Sequence, residues 1–330
     1  MNHLRSAAGA VALALFAAAC GGEEEDAATS STEPIEPTEV AYGAQVASYD
    51  LAAGTPQRFL VGLLATDNAL VVGGEVTLDF WYLGSNSVAG ASQEDGELKQ
   101  ADVPAAFTAV AGGTAPPEGE GPRTRQGDEG VGVYEATGVD FDEPGFWSVT
   151  VSGTVNGEPI DASAAFEVAP EHRIVTAGAS APRTANLLPG DPEAPVKAVD
   201  SRAEEDGSVP DPELHQLTVA DAVATGRPTM VVVSTPVFCV SRFCGPITDS
   251  VQELAATYGD RANFVHIEVW RDFEQNKLNR GAAEWIYPDE EANPSEPWVF
   301  LIDGEGTIAQ RWDNVANAGD LEHALEGLLQ

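Results

Sequence analysis

The hydrophobic period changes part-way along this chain, and that change limits what it can fold into. Between residues 42 and 168 apolar residues recur with period two or in short runs, and no helical repeat of useful length occurs. Glu75-Val-Thr-Leu-Asp-Phe-Trp-Tyr-Leu83 and Gly145-Phe-Trp-Ser-Val-Thr-Val-Ser152 alternate as half-buried strands do. The short runs Arg58–Leu64, Val131–Ala136 and Ala164–Val168 add three more strand candidates. Turn formers separate them: Asn68, Gly73-Gly74, Glu143-Pro-Gly145 and Asn156-Gly157. Asn-Gly between two β-rich runs signals a two-residue hairpin. This half is expected to be all-β, with residues 112–130 as a long exposed loop.

From Leu214 the pattern becomes α/β. A short helix is expected at Thr218–Ala224, a strand at Thr229–Ser234 and a helix at Ile247–Tyr258. A strand at Asn263–Trp270, a helix from Phe273 to Ile286, strands at Pro297–Asp303 and Thr307–Trp312, and a closing helix at Asp320–Leu329 follow. Residues 169–213, rich in Pro, Gly, Asp and Glu, read as an interdomain linker or a loosely draped segment.

Two cysteines, Cys239 and Cys244, lie between the Thr229–Ser234 strand and the next helix. A helix N-terminus stabilises a thiolate, because unpaired amides and the macrodipole favour negative charge there. Arg242, between the two, would lower a nearby thiol pKa by opposite charge. The spacing is Cys-x4-Cys. Five residues along a helix exceed the span of a disulfide, so at least one cysteine must sit in the loop. A staple across so short a loop would add on the order of 2 kcal/mol or less, which argues for chemistry over stabilisation.

The third cysteine belongs to the N-terminus. Met1-Asn-His-Leu-Arg5 is followed by small apolar residues from Ala7 to Ala19, then Cys20, Gly21-Gly22 and the acidic run Glu23–Asp26. The apolar stretch is too short to span a bilayer and has the pattern of an export signal. With Cys20 just after small residues it resembles a bacterial lipoprotein signal, which implies that Cys20 becomes the lipidated first residue. Residues 1–20 are then the signal peptide and 21–41 a disordered acidic tether. Outside the cytoplasm an even pair of thiols is expected to be oxidised at rest. The formal net charge of −37 repels nucleic acid and anionic headgroups, so neither is an expected partner.

With thiols at the first strand-to-helix turn, the order α-β-α-β-α-β-β-α over residues 214–330 resembles the thioredoxin-like superfamily. Cys244-Gly-Pro246 before an apolar helix, and Pro297 at the start of the strand after the third helix, where that superfamily places a cis-proline facing the thiols, agree with it. Val131-Gly-Val-Tyr134 followed by Glu143–Thr150 resembles the immunoglobulin-like modules of exported bacterial proteins. The resemblances imply an N-terminal immunoglobulin-like β-sandwich over 42–168 and a C-terminal α/β thioredoxin-like domain over 214–330. Cys239 would attack, Cys244 would resolve and Pro297 would position the substrate chain. Thioredoxins separate the thiols by two residues, with Trp before the first. Counting back from Tyr258 instead puts Cys244 at the second position and Ser241 at the first. The buried acid of many thioredoxins is not in the strand Met230-Val-Val-Val-Ser234. Glu296, before Pro297, is a candidate proton shuttle or a solvated loop carboxylate.

The expected function is thiol–disulfide exchange on exported proteins by a membrane-anchored, extracytoplasmic protein. Its partners would be exported thiols or disulfides and an electron donor, with the membrane touched through the lipid anchor only. No organic cofactor is implied. One alternative is a non-catalytic surface binding or scaffold lipoprotein whose Cys239–Cys244 disulfide is structural. A second is a copper metallochaperone using two thiols and one of His215, His266 or His323. A peroxidase is a third, although the place three residues before Cys239 holds Pro236 where peroxiredoxins have Thr. Trp270, Trp285, Trp298 and Trp312 are expected to pack in the core or rim a sheet, with Trp298 bordering the thiol groove as the alternative.

Overall fold

The computed structural model describes residues 42–86, 95–110, 116, 119–127, 129–192, 194–241, 243–287 and 295–330. Residues 1–41, on which the expected signal peptide with Cys20 and the expected tether fall, lie outside the described residues, as do Arg242, Asp289-Glu-Glu291 and parts of 112–130.

The first half is all-β among the described residues. Its strands are β1 (Tyr42–Val46), β2 (Gln57–Ala65), β3 (Val71–Val72), β4 (Glu75–Gly84), β5 (Glu97–Ala109), β6 (Arg123–Thr124), β7 (Gly132–Val139), β8 (Gly145–Val155) and β9 (Glu158–Val168). Seven of them form one antiparallel sheet in the order β1-β2-β7-β5-β4-β8-β9, and β3 pairs with β6 beside it. Two facing sheets were expected; pairing of β4 with β5 joins them into one curled sheet. Its two ends nearly meet, because Ala53 N–H donates to Ala169 O at 3.0 Å and Ala169 N–H to Leu51 O at 2.9 Å. The curl encloses Phe59, Phe80, Phe141 and Trp147, all buried, with Phe59 and Phe80 edge to face at 4.9 Å. Tyr134, also buried, satisfies its hydroxyl on Gly73 O at 2.9 Å.

Strand β5 has no sequence signature. Ala105 is its only fully buried residue, Pro104 lacks an N–H to donate, and Asp102 has φ of 55°. Asn156 and Gly157 form the hairpin expected of them, with φ of 52° and 87°, and β8 pairs β9 from Val155↔Glu158 to Gly145↔Val168.

The second half comprises α1 (Val219–Ala224), β10 (Thr229–Ser234), α2 (Cys244–Tyr258), β11 (Asn263–Glu268), β12 (Trp270–Asp272), β13 (Lys277–Leu278), α3 (Arg280–Ile286), β14 (Trp298–Ile302), β15 (Ile308–Asp313) and α4 (Ala318–Leu328). Its main sheet has the order β11-β10-β14-β15, with β10 parallel to β11 and antiparallel to β14. Every residue of β10 is buried. Met230 and Val232 face one apolar cluster while Val231 and Val233 face another, so a continuous apolar run suits a strand covered on both sides. The helix expected over Phe273–Ile286 is shorter. Residues 270–278 form the β12–β13 hairpin, turning at Asn276 with φ of 50°, and only Arg280–Ile286 is helical.

Residues 169–213, expected as a linker or loose drape, pack on the α/β sheet. Ile174 and Ala181 join its core, and Ala181 N–H donates to Gly306 O at 3.0 Å. The β-rich sheet also touches this half directly. Leu60, Val110 and Val133 are buried together with Met230, Val232 and Ile247, so Val40–Gln330 forms one compact unit.

Candidate functional site

Strand β10 ends at Ser234, and the chain leaves the sheet through Thr235-Pro236 into the cysteine loop. Cys239 and Cys244 are disulfide-bonded, with Cα atoms 6.0 Å apart. Cys244 is the first residue of α2 and is 0% exposed, whereas Cys239 lies in the loop and is half-buried. The neighbouring Val240 is 93% exposed. Ser241 Oγ lies 3.3 Å from Cys239 Sγ. Phe243, at the N-cap of α2, supplies no side-chain acceptor; Pro246 has no N–H and Ile247 N–H is bonded to Phe243 O, so the amides of Cys244 and Gly245 are the ones the first turn could offer a negative sulfur.

A groove of about 530 Å³ opens beside this loop. Val240, Ser241 and Phe243 form one wall, Ser295 and Glu296 a second, and residues of β1, β2 and β7 the third. Glu296 and Pro297 are joined by a cis peptide bond at the start of β14. The β-rich half reaches this point through Tyr49, whose hydroxyl donates to Glu296 O (3.0 Å) or Asn314 Oδ1 (2.8 Å). Burial raises the Tyr49 phenol pKa far above its ordinary range, with the Glu296 and Asp313 carboxylates adding to the effect.

Two carboxyl groups give the site its electrostatics. Burial, with the nearby Glu268 carboxylate adding to it, pushes Glu296 up to about 7. Glu268, at the end of β11 opposite Ser234, is itself raised by burial, although it accepts hydrogen bonds from Ser201 N (2.8 Å) and Trp270 N (3.2 Å). The buried acid absent from Met230–Ser234 is thus present on the adjacent strand as Glu268, a residue not expected at the site. The available signal was the single carboxylate in the β-rich run Asn263-Phe-Val-His-Ile-Glu268.

Beneath the loop, hydroxyls connect the first turn of α2 to the sheet. Thr248 Oγ1 donates to Cys244 O at 2.8 Å and lies 2.7 Å from Ser234 Oγ, which is 3.1 Å from His266 Nε2. His266 and His215 are buried with Asp200 and Asp211, and no cysteine joins that group. His323 is exposed on α4. The two-thiol-plus-histidine copper arrangement therefore has no counterpart among the described residues. Trp285, Trp298 and Trp312 are buried in the core, and Trp298 lies under the Arg311 guanidinium at 5.3 Å. Arg242 lies outside the described residues.

No family model matches this chain, and no curated protein matches it.

Proposed function

We propose that this chain is a membrane-anchored, extracytoplasmic protein that exchanges thiols and disulfides with exported proteins through Cys239 and Cys244. The observation that carries this reading is the unequal burial of the two cysteines, in a loop whose Val240, Ser241 and Phe243 line an open groove. Cys239 is half-buried in the loop and Cys244 is fully buried at the start of α2. A thioredoxin-like assignment of residues 214–330 is supported by the order β11-β10-β14-β15, with thiols following the central strand and Pro297 heading the strand beside it. An immunoglobulin-like assignment of 42–168 is supported by the order β1-β2-β7-β5-β4-β8-β9, a Greek-key succession of seven strands. The lipid anchor rests on the sequence around Cys20.

In the reducing direction, the Cys239 thiolate attacks one sulfur of a substrate disulfide. A Cys239–substrate bond forms, the substrate S–S bond breaks, and one substrate thiolate leaves. Cys244 then attacks Cys239 Sγ, the mixed bond breaks, and the second substrate thiolate leaves. The substrate gains two electrons and the cysteine pair is oxidised; the same steps reversed oxidise a dithiol. Glu296, protonated up to about pH 7 on the groove wall, supplies a proton to a departing thiolate.

The test is the reduction potential of the pair in the full chain, with Cys244→Ser as a trap. The expected potential lies between about −120 and −270 mV, the range of exchange proteins. Cys244→Ser is expected to accumulate a mixed disulfide through Cys239. A potential below about −300 mV with slow reduction by dithiothreitol would identify a structural staple and reject the proposal.

A further inference from the structure

Away from the groove, four metal-ligating side chains converge in the interior. Asp200, Asp211 and His215 come from the segment that precedes α1, and His266 comes from β11; none is more than 4% exposed. His215 Nε2 lies 3.4 Å from Asp200 Oδ2 and 3.3 Å from Asp211 Oδ1. His266 Nδ1 lies 3.3 Å from Asp200 Oδ2 and 3.4 Å from His215 Nε2. All four atoms are within 4.8 Å of one another. A tetrahedral ion with bonds of about 2.0–2.1 Å to nitrogen and oxygen sets its ligand atoms about 3.3–3.4 Å apart.

Counting protons leaves the centre of this cluster short of donors. Thr248 Oγ1 spends its proton on Cys244 O, so it accepts from Ser234 Oγ. Ser234 Oγ, having donated, accepts from His266 Nε2, which also points at Ser234 O at 3.2 Å. His266 thus carries its proton on Nε2 and aims the Nδ1 lone pair at Asp200 and His215. This is how an outer hydrogen bond prepares a metal-bound imidazole. On the opposite side, His215 Nε2 faces His266 Nδ1 and two carboxylate oxygens, and one proton can bridge to only one of them. Asp211 Oδ1 is fully buried and has no hydrogen-bond donor. Arg202 occupies the outer edge, binding Asp200 Oδ1 through Nε at 3.1 Å, Asp200 Oδ2 through Nη2 at 2.8 Å, and Asp211 Oδ2. It holds both carboxylates in place and leaves Asp211 Oδ1 directed inward. One guanidinium also stands among more negative charge than it can offset, since Asp249 lies 3.4 Å from its Nη1.

We infer that Asp200 Oδ2, Asp211 Oδ1, His215 Nε2 and His266 Nδ1 form a site for a divalent first-row cation of the zinc type. Two imidazoles and two carboxylates suit that ion. Four protein ligands in a sealed interior leave no position for substrate, so the role is structural. The ion ties the segment before α1 to β11, directly beneath the hydroxyl chain that ends at Cys244. The inference is independent of the thiol chemistry.

The test measures the metal content of the purified full chain and its visible spectrum with Co2+ alone as probe. One ion per chain is expected, with the d–d bands of four-coordinate cobalt and no thiolate charge-transfer band. Chelation is expected to lower the unfolding temperature. Asp211→Asn and His215→Gln should abolish the bands, and the Cys239→Ser/Cys244→Ser double variant should keep them. If the ligand variants fail to fold, stoichiometry and spectrum of the wild-type chain decide alone. A folded wild-type chain that takes up neither Zn2+ nor Co2+ in excess overturns the inference, and leaves Arg202 with a protonated imidazole balancing the carboxylates. Bands that survive in folded Asp211→Asn, or that carry a thiolate transition, overturn it equally.

Discussion

Glu296 shows how one residue changes its chemistry by position. As a sequence symbol it is a loop carboxylate; against the groove wall, burial and the charge of Glu268 raise it from 4.5 to about 7. The folded chain holds this proton more tightly than the unfolded chain does. Its contribution to stability is therefore fully present below about pH 4.5 and is lost as pH rises through about 7. Glu296→Gln is expected to lose less stability than the wild type between pH 5 and pH 8. The gap should reach on the order of 2 kcal/mol in urea unfolding. Parallel pH profiles for the two proteins would show that the carboxyl is solvated. The two cysteines were legible as a pair from their place between a strand and a helix, but their unequal burial was not. That difference comes from α2 beginning at Cys244, which seals one thiol and leaves the other in the loop.

At the scale of elements, local chemistry was most legible where a turn demanded special backbone. Asn156 and Gly157 both take positive φ, and the register of the whole β8–β9 pair follows from that loop. Gly157→Val places a β-branched side chain at φ of 87°, which should cost roughly 1–2 kcal/mol in chemical denaturation. Stability unchanged within error would mean that the strands set their own register. By contrast β5 was illegible, because a strand with one fully buried residue and an internal proline carries no alternation. The helix expected from Phe273 was overextended because the sequence there has helix-tolerant residues. Asn276 nonetheless takes the left-handed turn that lets Trp270 pair with Leu278.

At the scale of the molecule, Leu60 carries the argument. Its neighbours Phe59, Val61 and Leu63 point into the β-rich core, while Leu60 points outward and is buried with residues of β10, β14 and α2. Arg58 reinforces the same junction, pairing with Glu135 at 2.7 Å and reaching Asp313 at 3.6 Å and Val315 O at 2.9 Å. Leu60→Ala should destabilise the whole chain by about 2–5 kcal/mol, since the cavity opens between two halves that cannot close it separately. Calorimetry should give a single transition for wild type; two separated transitions, with Leu60→Ala moving only one, would show that the halves fold independently. The run Arg58–Leu64 was apolar on both faces, and that was the one trace of this junction in the sequence. Hydrophobic period and turn residues act over a few neighbours, and they were enough to set the kind of each half, all-β and then α/β. Which distant groups share an environment emerges only on folding: Tyr49 with Glu296, Glu268 with Ser201, and Asp200, Asp211 and His215 with His266. Those encounters span gaps that no local period encodes, and their energetics come from burial, which exists only once the chain has closed around them.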